Sequence, residues 1–325
     1  MISATTRRAG SAILLYLAST QASAAFAPSL PKPLSNGRNA ELQMGLFDGM
    51  MTKASPKVKV PDDFVLPEPK PLSIPEGTDI GKLLSASAAL AVRLGSGAFV
   101  LGWKIDDLFH QGDNYSLKLG PFSIRDSSSV LADAPRPTKP LILYGYDASP
   151  FSKRVRETLN LLDLTYEYRP CPGARQGKFS QQMLKRTGRQ TVPFLIDENT
   201  KTELFESTDI INYLVDTYGP SSETYDRKAL WPITAEAFSV GTSTTAAILL
   251  DMPGAKRQAN ARPDNENMKP LEVWAYECSP FCRPVFEKLC SLCLPHKVIS
   301  CSRGSANRDK LWAKTGRFQV PYMVD

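Results

Sequence analysis

One stretch occurs twice in this chain, and any fold proposed for it has to accommodate both copies. Tyr146-Asp147-Ala148-Ser149-Pro150-Phe151-Ser152 returns 130 residues later as Tyr276-Glu277-Cys278-Ser279-Pro280-Phe281-Cys282. Cys171 and Cys301 keep the same offset. After a two-residue gap, Thr187-Gly188-Arg189 is answered by Thr315-Gly316-Arg317 and Val192-Pro193-Phe194 by Val320-Pro321-Tyr322. Matches in this order define a duplicated domain of roughly 80 residues, so a functional reading has to explain two copies.

The chain of 325 residues has room for about two domains plus extensions, and 42% hydrophobic residues suit packed soluble cores. A formal charge of +6 suggests polyanions at first sight, but Arg7, Arg8, Lys32 and Arg38 supply four of those charges from a segment without acids. The rest is close to neutral, which argues against nucleic acid as a partner. Five of the six cysteines fall between Cys278 and Cys301, leaving Cys171 alone in the first copy, so this is no secreted disulfide scaffold. His110 and His296 stand far apart in sequence, and no metal site is expected.

Residues 1–25 read as a signal peptide, with Arg7 and Arg8 ahead of the apolar run Ala12–Ala18 and the small residues Ala22-Ser23-Ala24 at a cleavage site. Ala25-Phe26-Ala27-Pro28 and a tract rich in Ser, Pro, Asn and Lys follow. That junction resembles the bipartite plastid-targeting presequence of diatoms and related algae, which implies a plastid destination for a presequence of residues 1–45. Secretion alone is the plainer alternative, although unpaired cysteines suit a reducing compartment better.

Residues 46–79, rich in Pro and Lys, are expected to be an extended linker. A helix or helix pair is expected over Ile80–Trp103, where Leu83, Leu84, Ala88, Leu90, Ala91 and Leu94 recur at helical spacing. Lys82 and Arg93 keep its uncharged runs too short to span a bilayer, leaving packing on the domain or peripheral contact with a membrane surface. Tyr115–Arg125 alternates as a strand, completing an extension over 80–137. The first domain, 138–219, reads as strand 141–144, helix 151–162, strand 165–168, helix 181–187, strands 192–196 and 203–205, and helix 207–218. A connector, 220–268, carries an apolar helix over 235–250. The second copy, 269–325, repeats strand, helix, strand, helix, strand and ends before its fourth strand and last helix, so it is expected to be incomplete, with an uncovered sheet edge.

This βαβαββα order with a proline-bearing turn into the third strand resembles the thioredoxin fold, specifically the N-terminal domain of glutathione transferases and glutaredoxins. The fold class expected is therefore α/β, two tandem thioredoxin-like domains with the second truncated, behind a helical and extended N-terminal region. Ser149-Pro150-Phe151-Ser152-Lys153-Arg154-Val155-Arg156 resembles the first-helix signature of serine-type glutathione transferases. Val192-Pro193 looks like the family's cis-proline turn, an ordinary trans proline at the strand entry being the plainer alternative, and Glu206-Ser207 looks like its γ-glutamyl-binding pair; Val320-Pro321 answers to Val192-Pro193 as a binding candidate in the second copy. At whole-chain level the resemblance is to plastid proteins with tandem domains of this kind, and it implies glutathione as bound ligand or cosubstrate, or a peptide or protein thiol in its place.

The chemistry of the repeated stretch can be stated without the family. A helix starting at Pro150 leaves amides unpaired and carries partial positive charge, where a thiolate is stabilised. Ser149 cannot be the thiolate itself; its hydroxyl can hydrogen-bond one brought by a ligand. Ser149 and Pro150 also make a good N-cap and first helical residue whatever the function, and Ser207 would likewise serve as a helix cap. In the second copy Ser279 takes the place of Ser149, with Cys278 and Cys282 on the positions of Ala148 and Ser152. The catalytic candidates are thus Ser149, Ser279, Cys278 and Cys282. Of the cysteines Cys278 is expected to be the more exposed, and a bridge to Cys282 needs their Cα atoms within about 7 Å. Cys290 and Cys293 sit in a predicted helix, 284–294, among Val285, Phe286, Leu289 and Leu292, as buried small hydrophobes. Two functions fit: a plastid thiol-binding protein with weak transferase or thiol-exchange activity, or a non-catalytic scaffold that keeps the fold to bind partners.

Overall fold

The computed structural model describes residues 80–325 except 120, 174–176, 222–225, 227–229, 231–234, 251–255 and 265–267, all within the unit Pro69–Asp325. The presequence expected over 1–45 and the linker expected over 46–79 lie outside the described residues.

The first copy runs β4 (Leu141–Gly145), α2 (Pro150–Leu161), β5 (Tyr166–Pro170), α3 (Lys178–Thr187), β6 (Phe194–Asp197), β7 (Thr202–Phe205), α4 (Ser207–Tyr218). Strand β4 pairs in parallel with β5 and antiparallel with β6, and β6 antiparallel with β7. The second stretch runs β8 (Leu271–Ala275), α6 (Cys282–Ser291), β9 (His296–Ser300), α7 (Asn307–Thr315), β10 (Tyr322–Val324), with β8 parallel to β9 and antiparallel to β10. The repeated Thr-Gly-Arg is a helix stop. Gly188 and Gly316 take the left-handed conformation after α3 and α7, their amides donating to Leu184 O and Trp312 O. The preceding Thr187 and Thr315 hydroxyls donate back to Met183 O and Leu311 O.

The two stretches share one sheet. Its order is β10-β8-β9-β5-β4-β6-β7, because β5 and β9 pair antiparallel with Tyr168 opposite His296, Glu167 opposite Lys297 and Tyr166 opposite Val298. Each of these strands would be an open edge alone, and pairing removes both edges. Strand alternation then sorts the core. Leu141, Leu143, Val273, Ala275 and Val298 point to one face, where α2, α4 and α6 contribute Val155, Leu159, Ile210, Leu214, Phe286 and Leu289 to a single cluster. On the other face the cores are separate: Ile142 and Tyr144 meet Phe179 and Met183 of α3, whereas Trp274 and Ile299 meet Leu311 of α7.

Ahead of the sheet, the helix expected through Trp103 is α1 (Ile80–Val92) alone. Gly95, Gly97 and Gly102 at positive φ turn the chain, and Trp103 begins β1 (Trp103–Asp107), a strand the helical periodicity had absorbed. The strand expected at 115–125 is two, β2 (Leu117–Leu119) and β3 (Phe122–Ser128), in a small antiparallel sheet of order β1-β3-β2. Val100, Leu101, Leu131 and Ala134 of this extension belong to the shared core. The connector helix α5 (Glu236–Leu250) packs on α1 and α2. Arg93, read from sequence as an interruption, is buried there: its Nε donates to Glu157 of α2 at 2.8 Å and Nη1 to Ser239 O of α5 at 3.1 Å.

Candidate functional site

Strand register brings the first copy's expected residues to one end of the sheet. Tyr144 of β4 stands opposite Phe194 of β6, and Phe194 opposite Phe205 of β7. The residues just past those positions are the Ser149 loop, Pro193 and Glu206. Ser149 is the N-cap of α2, its Oγ accepting from Ser152 N at 3.1 Å, and Pro150 opens the helix, so the capping role holds whatever else the serine does. It is only 2% exposed, whereas Phe151 beside it is open to solvent. The Val192–Pro193 peptide is cis, with Pro193 buried and Val192 half-buried.

Glu206 is the N-cap of α4, exposed and at φ +63°. Ser207 therefore stands one residue inside the helix and is not its cap. Its Oγ accepts from Arg154 Nη1 at 2.9 Å, and Arg154 Nε donates to Ser239 Oγ of the connector helix at 3.0 Å. Burial lowers the pKa of this guanidinium. Arg154 thus fixes the start of α4 against α2 and α5, a role that the signature resemblance left unassigned.

The second copy repeats the framework. Tyr322 of β10 is opposite Trp274 of β8, the Val320–Pro321 peptide is also cis, and Ser279 Oγ accepts from Cys282 N at 3.3 Å. Helix α6 starts later than α2, with Phe281 at its N-cap.

Between the two helix starts lies a buried charge network. Arg156 donates to Asp147 Oδ1 at 2.7 Å and to Glu277 Oε1 at 3.0 Å; Arg283 donates to Glu277 Oε1 and Asp147 Oδ2, each at 2.7 Å. Lys153 Nζ, the counterpart of Arg283, approaches Glu277 Oε1 to 3.9 Å. Sequence reasoning missed this group. Its signal was present, since aligning the repeats places acidic Asp147 on Glu277 and basic Lys153 on Arg283.

All six cysteines are unbridged and buried. Cys278, expected to be the more exposed of its pair, is instead closed off. Its Sγ donates to Ser96 O of the extension, and burial pushes its pKa up to about 12. Burial likewise pushes Cys282 up to about 11, Cys171 to about 12 and Cys293 to about 11, and raises Cys290. At neutral pH these are thiols, poor nucleophiles and poor metal ligands. Among the described residues no group of three or more His, Cys, Asp or Glu is placed to hold a metal ion. No described helix is long and apolar enough to cross a membrane.

The order β5-β4-β6-β7, with helices on both faces and a cis proline at the strand end beside the first helix, defines a thioredoxin-like domain. Residues 143–222 match the family model of the glutathione S-transferase N-terminal domain, and the first copy is a domain of that kind. Among solved structures, a glutathione transferase homolog from Drosophila mojavensis with bound glutathione is 34% identical, over 28% of this chain and 41% of that one, with a TM-score of 0.24. An epsilon-class glutathione S-transferase from the housefly Musca domestica is 32% identical over 28% and 40%, TM-score 0.24. The Drosophila melanogaster isozyme E7 is 37% identical over 28% and 40%, TM-score 0.24. The chain thus spans about two fifths of the length of these proteins. No curated protein matches the sequence.

Proposed function

We propose that the first copy binds glutathione, or a peptide thiol of the same shape, at the sheet end formed by Ser149, Val192, Pro193, Glu206 and Ser207. The observation that carries this reading is the strand register. It brings to one end of the sheet a serine-capped helix N-terminus, a cis-proline turn and a carboxylate at a helix start, features that suit a thiolate, a ligand backbone and a ligand ammonium in turn. Ser149 serves as hydrogen-bond partner to the ligand sulfur. The second copy, with its thiols buried, completes the sheet and supports the first.

Raised pKa values on every cysteine favour binding, or weak transferase activity through Ser149, over thiol-disulfide exchange by the chain's own sulfurs. The same observation supports the second reading, a non-catalytic scaffold that retains the fold. Calorimetry with glutathione separates the two: saturable binding by the unmodified protein, lost in Glu206→Ala with Ser207→Ala, supports the first reading, and no binding sinks it. For location we propose the plastid, on the Ala25-Phe26-Ala27-Pro28 junction; a reporter carrying residues 1–45 that is secreted instead of imported would refute it.

A further inference from the structure

Strand β1 stands at the end of the small sheet, order β1-β3-β2, and every one of its residues from Trp103 to Asp107 is exposed. Among the described residues no strand lies beyond it. The Ser129 amide donates to Gly102 O at 2.8 Å, which fixes the hydrogen-bonding phase against β3. Gly102 and Lys104 therefore turn their backbone groups to β3, and Ile105 turns its N–H and C=O outward. An outward N–H and C=O on an exposed strand are a template for another strand.

The charges along β1 select that strand. Lys104 and Asp106 share one face, with Nζ 2.9 Å from Oδ1 and both side chains in reach of solvent, while Ile105 between them is 47% exposed. Suppose β1 pairs antiparallel with β1 of a second copy about a two-fold axis at Ile105. Ile105 then exchanges both backbone bonds with its equivalent, and Lys104 lies directly across from Asp106 of the second copy. Those charges meet at the position without backbone bonds, where facing side chains are closest. Each lysine keeps the carboxylate on its own strand and gains another across the seam. An axis at Lys104 or at Asp106 would set like charges opposite each other. The register shift between Ile105 and Asp107 is a bulge, which ends the ladder after Asp106. The other end strands lack the pattern, because β2 holds only Lys118, β7 only Glu203, and β10 no charge.

We propose that β1 is the seam of a symmetric dimer, in which two extension sheets join into one of order β2-β3-β1-β1-β3-β2. A foreign strand of uniform charge would place its like against Lys104 or Asp106, so the alternation favours a second copy of this chain. The seam is short, and contacts below about 1,000 Å² belong to transient complexes, so half of the chains should be paired at about 100 µM.

Sedimentation equilibrium of the full chain from about 5 to about 500 µM tests this and should show reversible exchange between monomer and dimer. Raising salt from about 50 to about 500 mM should weaken the dimer about threefold or more. Lys104→Asp and Asp106→Lys should each weaken it about tenfold. Combined, they restore opposite charges across the seam and should return the affinity to within about threefold of the parent. Ile105→Pro removes an N–H that β3 does not use, at an edge position where proline is accepted, and should give a folded monomer. If thermal melting shows Ile105→Pro unfolded, the charge exchange decides alone. A monomer at every concentration overturns the proposal and leaves the edge to some other chain. So does a dimer that Lys104→Asp leaves intact, a combined variant as weak as the single ones, or a folded Ile105→Pro that still dimerises.

Discussion

The amide of Asp147 donates to Cys290 Sγ at 3.3 Å, and 130 residues on, the amide of Glu277 donates to Asn160 Oδ1 at 2.9 Å. Asn160 and Cys290 are themselves 130 apart, so each copy holds the loop ahead of the other copy's serine. The second copy thereby holds the loop ahead of Ser149.

That relationship predicts unequal consequences. Asn160→Ala strands the buried Glu277 N–H and should cost about 1–3 kcal/mol. Cys290→Ser keeps an acceptor for Asp147 and should cost less than half as much. Urea denaturation of both variants decides the matter, and an unaltered midpoint for Asn160→Ala would remove the mutual-clamp interpretation.

Arg156 provides a harsher test, because its guanidinium donates to both Asp147 and Glu277. Buried ion networks are weak evidence for stability as wholes, but removing one member leaves uncompensated charge. Arg156→Met should therefore destabilise by about 3–5 kcal/mol, also losing the contact of the guanidinium with the Tyr168 ring at 5.4 Å. Equilibrium unfolding in urea gives the number, and a loss below about 1 kcal/mol would mean that water or relaxation screens the carboxylates.

The legible parts of this architecture were those written in local chemistry. Ser149-Pro150 announces a helix start, and the apolar runs expected as strands at 141–144 and 192–196 lie close to β4 and β6. The cis bond at Pro193 came through the resemblance, since nothing local distinguishes it from trans, and the repeat carries it to Pro321. What stayed hidden was long-range. The β5 to β9 pairing depends on two edges that each copy would expose alone, and no residue in either strand names its partner. Cys278 was misjudged for the same reason, because the residue that buries it, Ser96, lies 182 positions away.

At Glu206 the backbone and the side chain can be separated. A non-glycine residue at φ +63° carries a local penalty that glycine would relieve, while the carboxylate serves the proposed ligand. Glu206→Gly should melt at or above the parent temperature and Glu206→Ala slightly below it, yet both should weaken glutathione binding by about tenfold. Undiminished binding in the glycine variant would show that only the turn matters.

The thiols offer a direct chemical readout. With pKa values near 11 and 12 in place of the ordinary value near 8.5, the thiolate fraction at pH 8 falls by roughly two to three orders of magnitude, a shift caused chiefly by burial. Native protein mixed with a thiol-reactive disulfide at pH 8 should give no rapid phase, and all six cysteines should react once guanidinium unfolds it. Rapid labelling of Cys278 before unfolding would reopen disulfide chemistry in the second copy.

His296 makes the fold sensitive to acid through the β5 to β9 seam. Its ring packs against Tyr168 and Phe286, with centroids at 5.2 and 6.0 Å, and Nδ1 donates to Leu294 O at 2.9 Å. Burial lowers its pKa from 6.5 to about 4. Above pH 6.5 the imidazole is neutral in both folded and unfolded chains, and its neutral packing contributes fully. As the pH falls from 6.5 towards 4, the unfolded chain binds a proton that the folded chain refuses, so stability is lost across that window by about 3 kcal/mol. Carboxylates titrate in the same range, which makes the comparison with His296→Phe the decisive one. Phenylalanine fills the place between the two rings without titrating, so the gap between the two stability curves should change by about that amount between pH 7 and pH 4. Parallel curves would show that the seam already admits the charged ring.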